Sequence, residues 1–239
     1  MGMSVSSNGK QLASVGQDGQ LALWDFSDGQ LQHRTEIASG WVEHVAWSKS
    51  GSHLAVSSGR VVTILSSFGK KIWSSENHPS TVSAVEWVTD QELSTACYGR
   101  VTFFNTSSGK ENERLQWQGS LVSLALSPDG NVVACGSQDK SVHFWRRSNG
   151  QDSMMSGYPW KPSELAFSHD SILLATGGGE DITVWSFEGN GPEGTTPEVL
   201  EFHKAPISSL AFSHHQRHLA SGCREGGVVV WSLRRHGGG

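Results

Sequence analysis

The chain has 239 residues, of which 36% are hydrophobic, with 28 glycines against 7 prolines and a formal net charge of −5. This length is enough for one large domain with a buried core, and the glycine content favours short strands and tight turns over helices. The acidic balance argues against an electrostatic surface for nucleic acid, and no apolar run approaches the roughly 20 residues of a membrane span.

The cysteine content indicates a reducing environment. The three cysteines, Cys97, Cys135 and Cys223, are an odd number and have no CxxC spacing. This argues against the disulfide framework of a secreted protein, and we expect a cytoplasmic location.

A single pattern begins near the start of the chain and occurs six times. Residues 12–26, LASVGQDGQLALWDF, contain a strand, a polar turn and a second strand that ends in an aromatic residue. The corresponding strand ends are, in chain order, Trp24, Leu65, Phe104, Trp145, Trp185 and Trp231. Their intervals are 41, 39, 41, 40 and 46 residues. A period near forty with alternating apolar residues indicates four-stranded antiparallel sheets arranged radially.

Each repeat contains the same predicted elements in the same order. In repeats two to six, the predicted first strands are VEHVAWS, TVSAVEW, LVSLALS, SELAFS and ISSLAFS. The predicted second strands are QLASVG, HLAVSS, ELSTAC, VVACGS, LLATGG and HLASGC. A polar linker then leads to a fourth, more polar strand. The linker at 189–197 is longer than the others, which explains the 46-residue interval and predicts a mobile surface loop.

These segments resemble WD repeats over essentially the whole chain. The resemblance rests on the turn LSPDG at 126–130 and on Leu-Ala-Ser, Gln-Asp and Trp-Asp in register. It implies an all-β fold, a β-propeller of four-stranded antiparallel blades, whose surfaces bind other macromolecules without catalysis. We expect a single propeller domain, 1–239, with blades at about 1–38, 41–78, 81–119, 121–160, 162–203 and 206–235.

The first and last of the six blades look incomplete in the sequence. Residues 3–6 supply only the tail of a first strand, and 231–235 leave the sixth blade without a fourth strand. We interpret the chain as a fragment, for example of a seven-bladed propeller, with open end blades that favour self-association or strand addition by a partner.

The resemblance also implies a hydrogen-bonded network within each blade, formed by Ser or Thr, Asp, Trp and a preceding His. This network would satisfy polar groups that are costly to bury alone. The positions that match it are Ser14, Asp18, Trp24, His78, Thr95, Asp139, Trp145, Thr176, Trp185, His203, Ser221, Glu225 and Trp231. The match is patchy, because Trp117 and Tyr158 stand where two of the histidines are expected and Glu225 stands in place of Asp.

The patterns for catalysis and cofactor binding are weak. Ser14 and Asp18 lack the Gly-x-Ser-x-Gly turn of a hydrolase nucleophile. His214 and His218 have no Cys or carboxylate at metal-ligand spacing, and 177–179, Gly-Gly-Gly, lacks the Lys and helix of a phosphate loop. We therefore predict no catalytic residue, no metal and no cofactor.

The predicted function is a scaffold that binds a protein or peptide on the entrance face of the propeller. Aromatic and arginine side chains in the loops of that face are typical interface anchors. The candidate partner-binding residues are Trp41, Glu43, Trp117, Trp160, Lys161, Gln17, Gln138 and Arg224. For Trp117 and for Tyr158 the other interpretation is that they fill the space of an absent histidine. The alternative function is a propeller that binds a small ligand or metal, as a sensor or hydrolase-type domain.

Overall fold

The structure is a computed structural model that describes residues 2–189 and 191–233. These residues contain twenty-two strands and no helix. Among these residues there is consequently no helix of the length and hydropathy needed to cross a membrane. The chain divides into two compact units, 1–121 and 122–239, and each contains three antiparallel sheets. The predicted all-β architecture with six repeated sheets is confirmed.

The first unit contains the first three sheets. The first sheet consists of β1 (Gly2–Val5), β2 (Gln11–Val15), β3 (Gln20–Asp25) and β4 (Leu31–Glu36). The second consists of β5 (His44–Trp47), β6 (His53–Ser58), β7 (Val61–Ser66) and β8 (Lys71–Ser74). The third consists of β9 (Ala84–Thr89), β10 (Glu92–Asn105) and β11 (Glu111–Ser120).

The long strand β10 doubles back on itself and provides two strands of the third sheet. Thr95 and Phe104, nine residues apart, both lie against the imidazole of His78, Thr95 by a 2.9 Å hydrogen bond and Phe104 with its ring centroid 5.7 Å away. An extended strand of nine residues would span about 30 Å. The reversal occurs at Gly99, whose φ of +83° suits a residue without a side chain. The third sheet is therefore also four-stranded.

The second unit contains the remaining three sheets. The fourth consists of β12 (Ala125–Leu126), β13 (Val132–Gly136), β14 (Val142–Arg146) and β15 (Gln151–Met155). The fifth consists of β16 (Glu164–Phe167), β17 (Leu173–Gly177), β18 (Ile182–Ser186) and β19 (Glu198–Leu200). The sixth consists of β20 (Ile207–Phe212), β21 (His218–Cys223) and β22 (Val228–Ser232).

The core of each unit lies between neighbouring sheets. The second and third strands are the most apolar because they are covered on both faces, as in β13, where every residue is buried. In the first unit, Leu21 and Leu54 belong to one cluster between the first two sheets, and Ile64 and Trp87 to another between the second and third. In the second unit, equivalent clusters join the fourth sheet to the fifth and the fifth to the sixth. Burial of this apolar surface is the main stabilising contribution.

The sequence analysis expected both the first and the last sheet to be incomplete, and the structure contradicts this for the first sheet. Strand β1 is four residues long, as long as β5 and β16, and pairs with β2 along its whole length, so the first sheet has all four strands. The sixth sheet has three strands within the described residues. The expectation of a missing fourth strand concerns Arg234, Arg235 and 236–239, which lie outside the described residues.

Candidate functional site

In the first sheet, two of the network residues form a hydrogen bond between neighbouring strands. The indole Nε1 of Trp24 on β3 donates to the hydroxyl of Ser14 on β2 at 2.8 Å. Asp18 is exposed in the turn between these strands, and its carboxylate accepts from the backbone N–H of Gln20 at 3.3 Å. The Ser14 hydroxyl is thus engaged with an indole, and Asp18 stabilises its own turn.

The sixth sheet contains the same hydrogen bond between tryptophan and serine, and here the serine also bonds the histidine. Ser221 on β21 is hydrogen-bonded to Nε2 of the buried His203 at 2.7 Å and accepts from Nε1 of Trp231 at 2.8 Å. One hydroxyl thereby serves two aromatic side chains that would otherwise bury unsatisfied nitrogen atoms. Glu225 lies exposed in the turn that follows β21.

The third sheet has the histidine without the tryptophan. Nε2 of His78 is hydrogen-bonded to Thr95 at 2.9 Å, and Nδ1 lies 3.0 Å from the carbonyl oxygen of Arg60. Burial lowers the pKa of His78, because the interior disfavours the charged imidazole. The ring of His78 packs against that of Phe104 at an interplanar angle of 61°, and Phe104 occupies the position that a tryptophan has in other blades.

In the fourth sheet, Asp139 and Trp145 contact residues that the predicted network does not include. Asp139 is exposed, and its carboxylate accepts from the hydroxyl of Ser141 at 2.6 Å, a bond that lowers the pKa of Asp139. Trp145 is buried against the ring of His143, with 4.3 Å between ring centroids. The structure also buries His143, which is 1% exposed and which the sequence analysis did not single out. The Nε2 atom of His143 lies 3.2 Å from the carboxylate of Asp152.

In the fifth sheet, a tyrosine occupies the position expected for the histidine. The phenol oxygen of Tyr158 accepts from Nε1 of Trp185 at 2.7 Å and is hydrogen-bonded to the hydroxyl of Thr176 at 3.2 Å. Burial raises the pKa of Tyr158, so the phenol remains protonated. A single oxygen of Tyr158 therefore joins the tryptophan and the threonine of this sheet.

Replacing Tyr158 by phenylalanine tests the contribution of these hydrogen bonds to stability. We expect the variant to lose about 2 kcal/mol of unfolding free energy, because the indole N–H of the buried Trp185 is left without its acceptor. Equilibrium urea unfolding followed by circular dichroism measures the change. Tyr98→Phe is the matched control, because Tyr98 is 56% exposed, and it should change the unfolding free energy by less than about 0.5 kcal/mol. Equal effects of the two substitutions would contradict a stabilising role for the hydrogen bonds of Tyr158.

In the first unit, two predicted binding loops are held side by side. Trp41 is 61% exposed, and its carbonyl oxygen accepts from the hydroxyl of Ser58 at 2.8 Å. Glu43, half-buried, accepts from the backbone N–H of Gly59 at 3.1 Å. The turn that carries the exposed Gln17 is tied to the same loop, because the carbonyl of Gly16 accepts from Val42 N–H and that of Gly19 accepts from the N–H groups of residues 37 and 38. Gln17 and Trp41 therefore occupy adjacent, anchored loops.

The second unit contains an equivalent pair of loops. Trp160 is 58% exposed and is followed by the exposed Lys161. The next residue, Pro162, lies against Gly136, at the end of the strand that leads to the turn with the exposed Gln138. Arg224 is also exposed, and its backbone N–H donates to the carbonyl of Pro206 at 3.0 Å.

Trp117 is placed differently from the other candidate anchors. It lies within β11, which extends to Ser120, and it is half-buried, so it belongs to a strand and not to a loop before a first strand. The expected position of Trp117, in a loop before a first strand, is therefore wrong. The sequence could not show this, because β11 is polar and its extent is set by pairing with distant residues, as between Tyr98 and Ser120.

A cavity of about 350 Å³ lies beside Trp160 in the second unit. Its lining includes Tyr158, Trp160, Lys161, Asp181, Trp185 and Val199. Three successive glycines, 177–179, make room for its wall, because a Cβ on Gly179 would lie 2.0 Å from the indole ring of Trp160, and one on Gly178 would lie 2.0 Å from the carbonyl oxygen of Lys161. The sequence predicted no role for these glycines.

Within residues 2–189 and 191–233, no group of three or more His, Cys, Asp or Glu side chains is arranged to hold a metal ion. His214 and His218, the pair considered for zinc, are exposed in and beside the turn between β20 and β21.

Comparison with known proteins agrees with this fold. The family described as WD domain, G-beta repeat matches residues 1–25, 112–146 and 194–232. Actin-interacting protein 1 from Caenorhabditis elegans is 25% identical over 98% of this chain and 39% of its own length. Anaphase-promoting complex subunit cdh1 from Dictyostelium discoideum is 26% identical over 88% of this chain and 27% of its own length. The chain thus spans well under half the length of these relatives.

A solved structure extends the likeness to three dimensions. The β-propeller domain of Cps50 (Swd1) from Myceliophteria thermophila superposes with a TM-score of 0.80 at 15% identity, covering 98% of this chain and 82% of that domain. Three segments of the chain thus match the WD repeat, and its six sheets are blades of the β-propeller fold, as in this structural neighbour.

Proposed function

We propose that this chain is a non-catalytic scaffold, with 1–239 as one propeller domain, that binds a protein or peptide through the loops carrying Trp41 and Trp160. The observation that carries the proposal is the exposure of these two indoles, 61% and 58%, on loops whose backbones are fixed by neighbouring turns. A rigid, exposed tryptophan offers a large apolar contact area at little entropic cost on binding.

Polar groups beside the indoles fit the same role. Gln17 and Glu43 lie by Trp41, and Lys161 follows Trp160, which gives the mixed apolar and polar character of a protein interface. The names of the relatives, an actin-interacting protein and a subunit of the anaphase-promoting complex, describe proteins that associate with other proteins.

The non-catalytic part of the proposal is supported by what the polar side chains do. The Ser14 hydroxyl accepts from an indole, and the hydroxyls of Thr95 and Ser221 bond buried histidines, so these groups are occupied in bracing the sheets. None of the three cysteines forms a disulfide in the described chain, which fits a cytoplasmic, reducing location.

Capture of binding partners with matched variants tests the proposal. The full chain is immobilised, and proteins retained from a native lysate are quantified by mass spectrometry. The double variant Trp41→Ala/Trp160→Ala should retain at least roughly tenfold less of the specific partners, since each exposed aromatic anchor contributes about 1–2 kcal/mol or more.

The control is Phe26→Ala/Phe68→Ala. Both phenylalanines are large and exposed, at 55% and 78%, but they lie in the turns after the third strands of their sheets. This control should retain the partners unchanged. If the two double variants behave alike while both remain folded, the assignment of the binding surface is wrong.

A further inference from the structure

The last strand of the sixth sheet is built like an inner strand. Within residues 2–189 and 191–233, β22 is the outermost strand of this sheet and pairs only with β21. Its Val228 and Val230 are 75% and 68% exposed, whereas Ile182 and Val184, at the equivalent positions of the fifth sheet, are 0% and 5% exposed. A strand of apolar, β-branched residues therefore stands at an open edge in the described part of the chain.

The last strands of the other five sheets all carry charged side chains. Charges on an edge strand oppose its pairing with another chain. These charged residues are, in chain order, Arg34 and Glu36 on β4, Lys71 on β8, Glu111, Glu113 and Arg114 on β11, Asp152 on β15 and Glu198 on β19. The sequence of β22, Val-Val-Val-Trp-Ser, contains neither a charged residue nor a proline. The edge of the sixth sheet thus lacks the protection that the other edges have.

The direction of the backbone groups along β22 follows from its pairing with β21. Leu233, directly after β22, donates its N–H to the carbonyl of Arg217, directly before β21, at 3.0 Å. Because these directions alternate along a strand, Val228, Val230 and Ser232 point their N–H and C=O groups away from β21. The open edge therefore presents donors and acceptors at three alternate residues of a five-residue strand.

We infer that β22 pairs antiparallel with β22 of a second copy of this chain, so that two sixth sheets join into one sheet about a two-fold axis. With Val230 opposite its own counterpart, Val228 of each copy lies opposite Ser232 of the other. All the outward N–H and C=O groups of the two strands then exchange hydrogen bonds. On the opposite face, Val229 of each copy lies beside Trp231 of the other, a favourable pair of β-branched and aromatic side chains.

The self-complementarity of β22 favours a second copy as the occupant. A two-fold contact sets the strand against itself, and no pair in this register brings like charges together because β22 has no charge. A copy of β22 also places a valine beside Val230. A strand like β19 would instead place a carboxylate there, since Glu198 lies opposite Val184, the equivalent of Val230. The apolar neighbour removes more of the exposed valine surface from water.

Sedimentation velocity of the full chain between about 1 and 500 µM tests the inference. The paired edge is short, so we expect a reversible dimer with a dissociation constant on the order of 10–100 µM. Val230→Lys should raise this constant at least roughly tenfold, because two cations would meet at the centre of the contact. Val199→Lys is the matched control, since Val199 is 50% exposed on the last strand of the fifth sheet, and it should dimerise like the unsubstituted chain.

A mixture of oppositely charged variants tests the register. Val230→Glu alone should dimerise as poorly as Val230→Lys, and an equimolar mixture of the two should dimerise again, because the substituted side chains then attract each other. Amide hydrogen exchange gives a second measurement. Exchange at Val230 should slow as the concentration of the unsubstituted chain rises, whereas exchange at Val229, which points toward β21, should change little. Circular dichroism confirms that each variant is folded.

The inference is overturned if the unsubstituted chain remains a monomer at about 500 µM, or if Val230→Lys dimerises as tightly as that chain. It is also overturned if the chain dimerises but the mixture of charged variants does not. A monomeric chain that captures another protein through β22, with capture lost in Val230→Lys, would assign the edge to a strand of that protein and overturn self-pairing.

The inference goes beyond the proposed function and fails or stands separately from it. The variant Trp41→Ala/Trp160→Ala should dimerise like the unsubstituted chain, because neither indole lies on the sixth sheet. Loss of partner capture in that variant, with dimerisation unchanged, supports both conclusions. Loss of dimerisation in the same variant would place the contact between copies at the indoles and overturn the pairing of β22.

Discussion

Replacing Trp87 by alanine is expected to lower the free energy of unfolding by about 3–5 kcal/mol, the range for removing a fully buried large aromatic side chain. Trp87 lies on β9 and is 2% exposed. Its ring belongs to the cluster between the second and third sheets with Ala55 and Ile64, and its Nε1 donates to the carbonyl of Ala46 on β5 at 3.0 Å. The substitution therefore removes both the main apolar contact and a hydrogen bond between two blades.

Trp41→Ala serves as the control for this substitution. It deletes the same side chain from a position that is 61% exposed, and we expect a change below about 0.5 kcal/mol. Equilibrium urea unfolding of the three proteins at one pH measures the difference. A loss of less than about 1 kcal/mol for Trp87→Ala would contradict the view that apolar packing between sheets, rather than the patchy hydrogen-bonded network, holds the blades together.

The inner strands could be predicted from the sequence because burial on both faces leaves a strong local pattern. LALW and VHFW end at Trp24 and Trp145, and the strands β3 and β14 are found at these positions. Strand β10 shows the limit of this reasoning. Its two arms were anticipated separately, and only the contacts of His78 with both arms show how closely they are folded together.

The outer strands and the cavity were harder to predict because they depend on distant residues. Strand β11 is polar, so its length follows from pairing with β10 and not from its own composition. The sequence placed Tyr158 at a histidine position. It could not show that the phenol oxygen is hydrogen-bonded to both Thr176 and Trp185, because these residues are 18 and 27 positions away in the chain. The wall formed over 177–179 likewise requires a loop that approaches the glycines in space.

Gly136 is the position where sheet packing and the candidate site meet. It ends β13, and its backbone N–H donates to the hydroxyl of Ser123 at 3.2 Å. The same hydroxyl donates to the carbonyl of Pro162 at 2.7 Å, and Pro162 belongs to the lining of the cavity beside Trp160. The absence of a side chain at Gly136 therefore allows the loop that carries Trp160 to pack closely on the fourth sheet.

Gly136→Ala should lower the free energy of unfolding by about 3 kcal/mol, at the upper end of the cost of overpacking a core. An added Cβ would lie 1.9 Å from the carbonyl oxygen of Pro162 and 2.4 Å from the hydroxyl of Ser123, so backbone has to move. Gly40→Ala is the control, because a Cβ there meets no atom within 4 Å, and we expect a change within about 0.5 kcal/mol. Urea unfolding gives both values, and the NMR signal of the Trp160 indole N–H reports the displaced loop independently. If Gly136→Ala is as stable as Gly40→Ala and leaves that signal in place, the close contact between Gly136 and Pro162 is not what positions the loop.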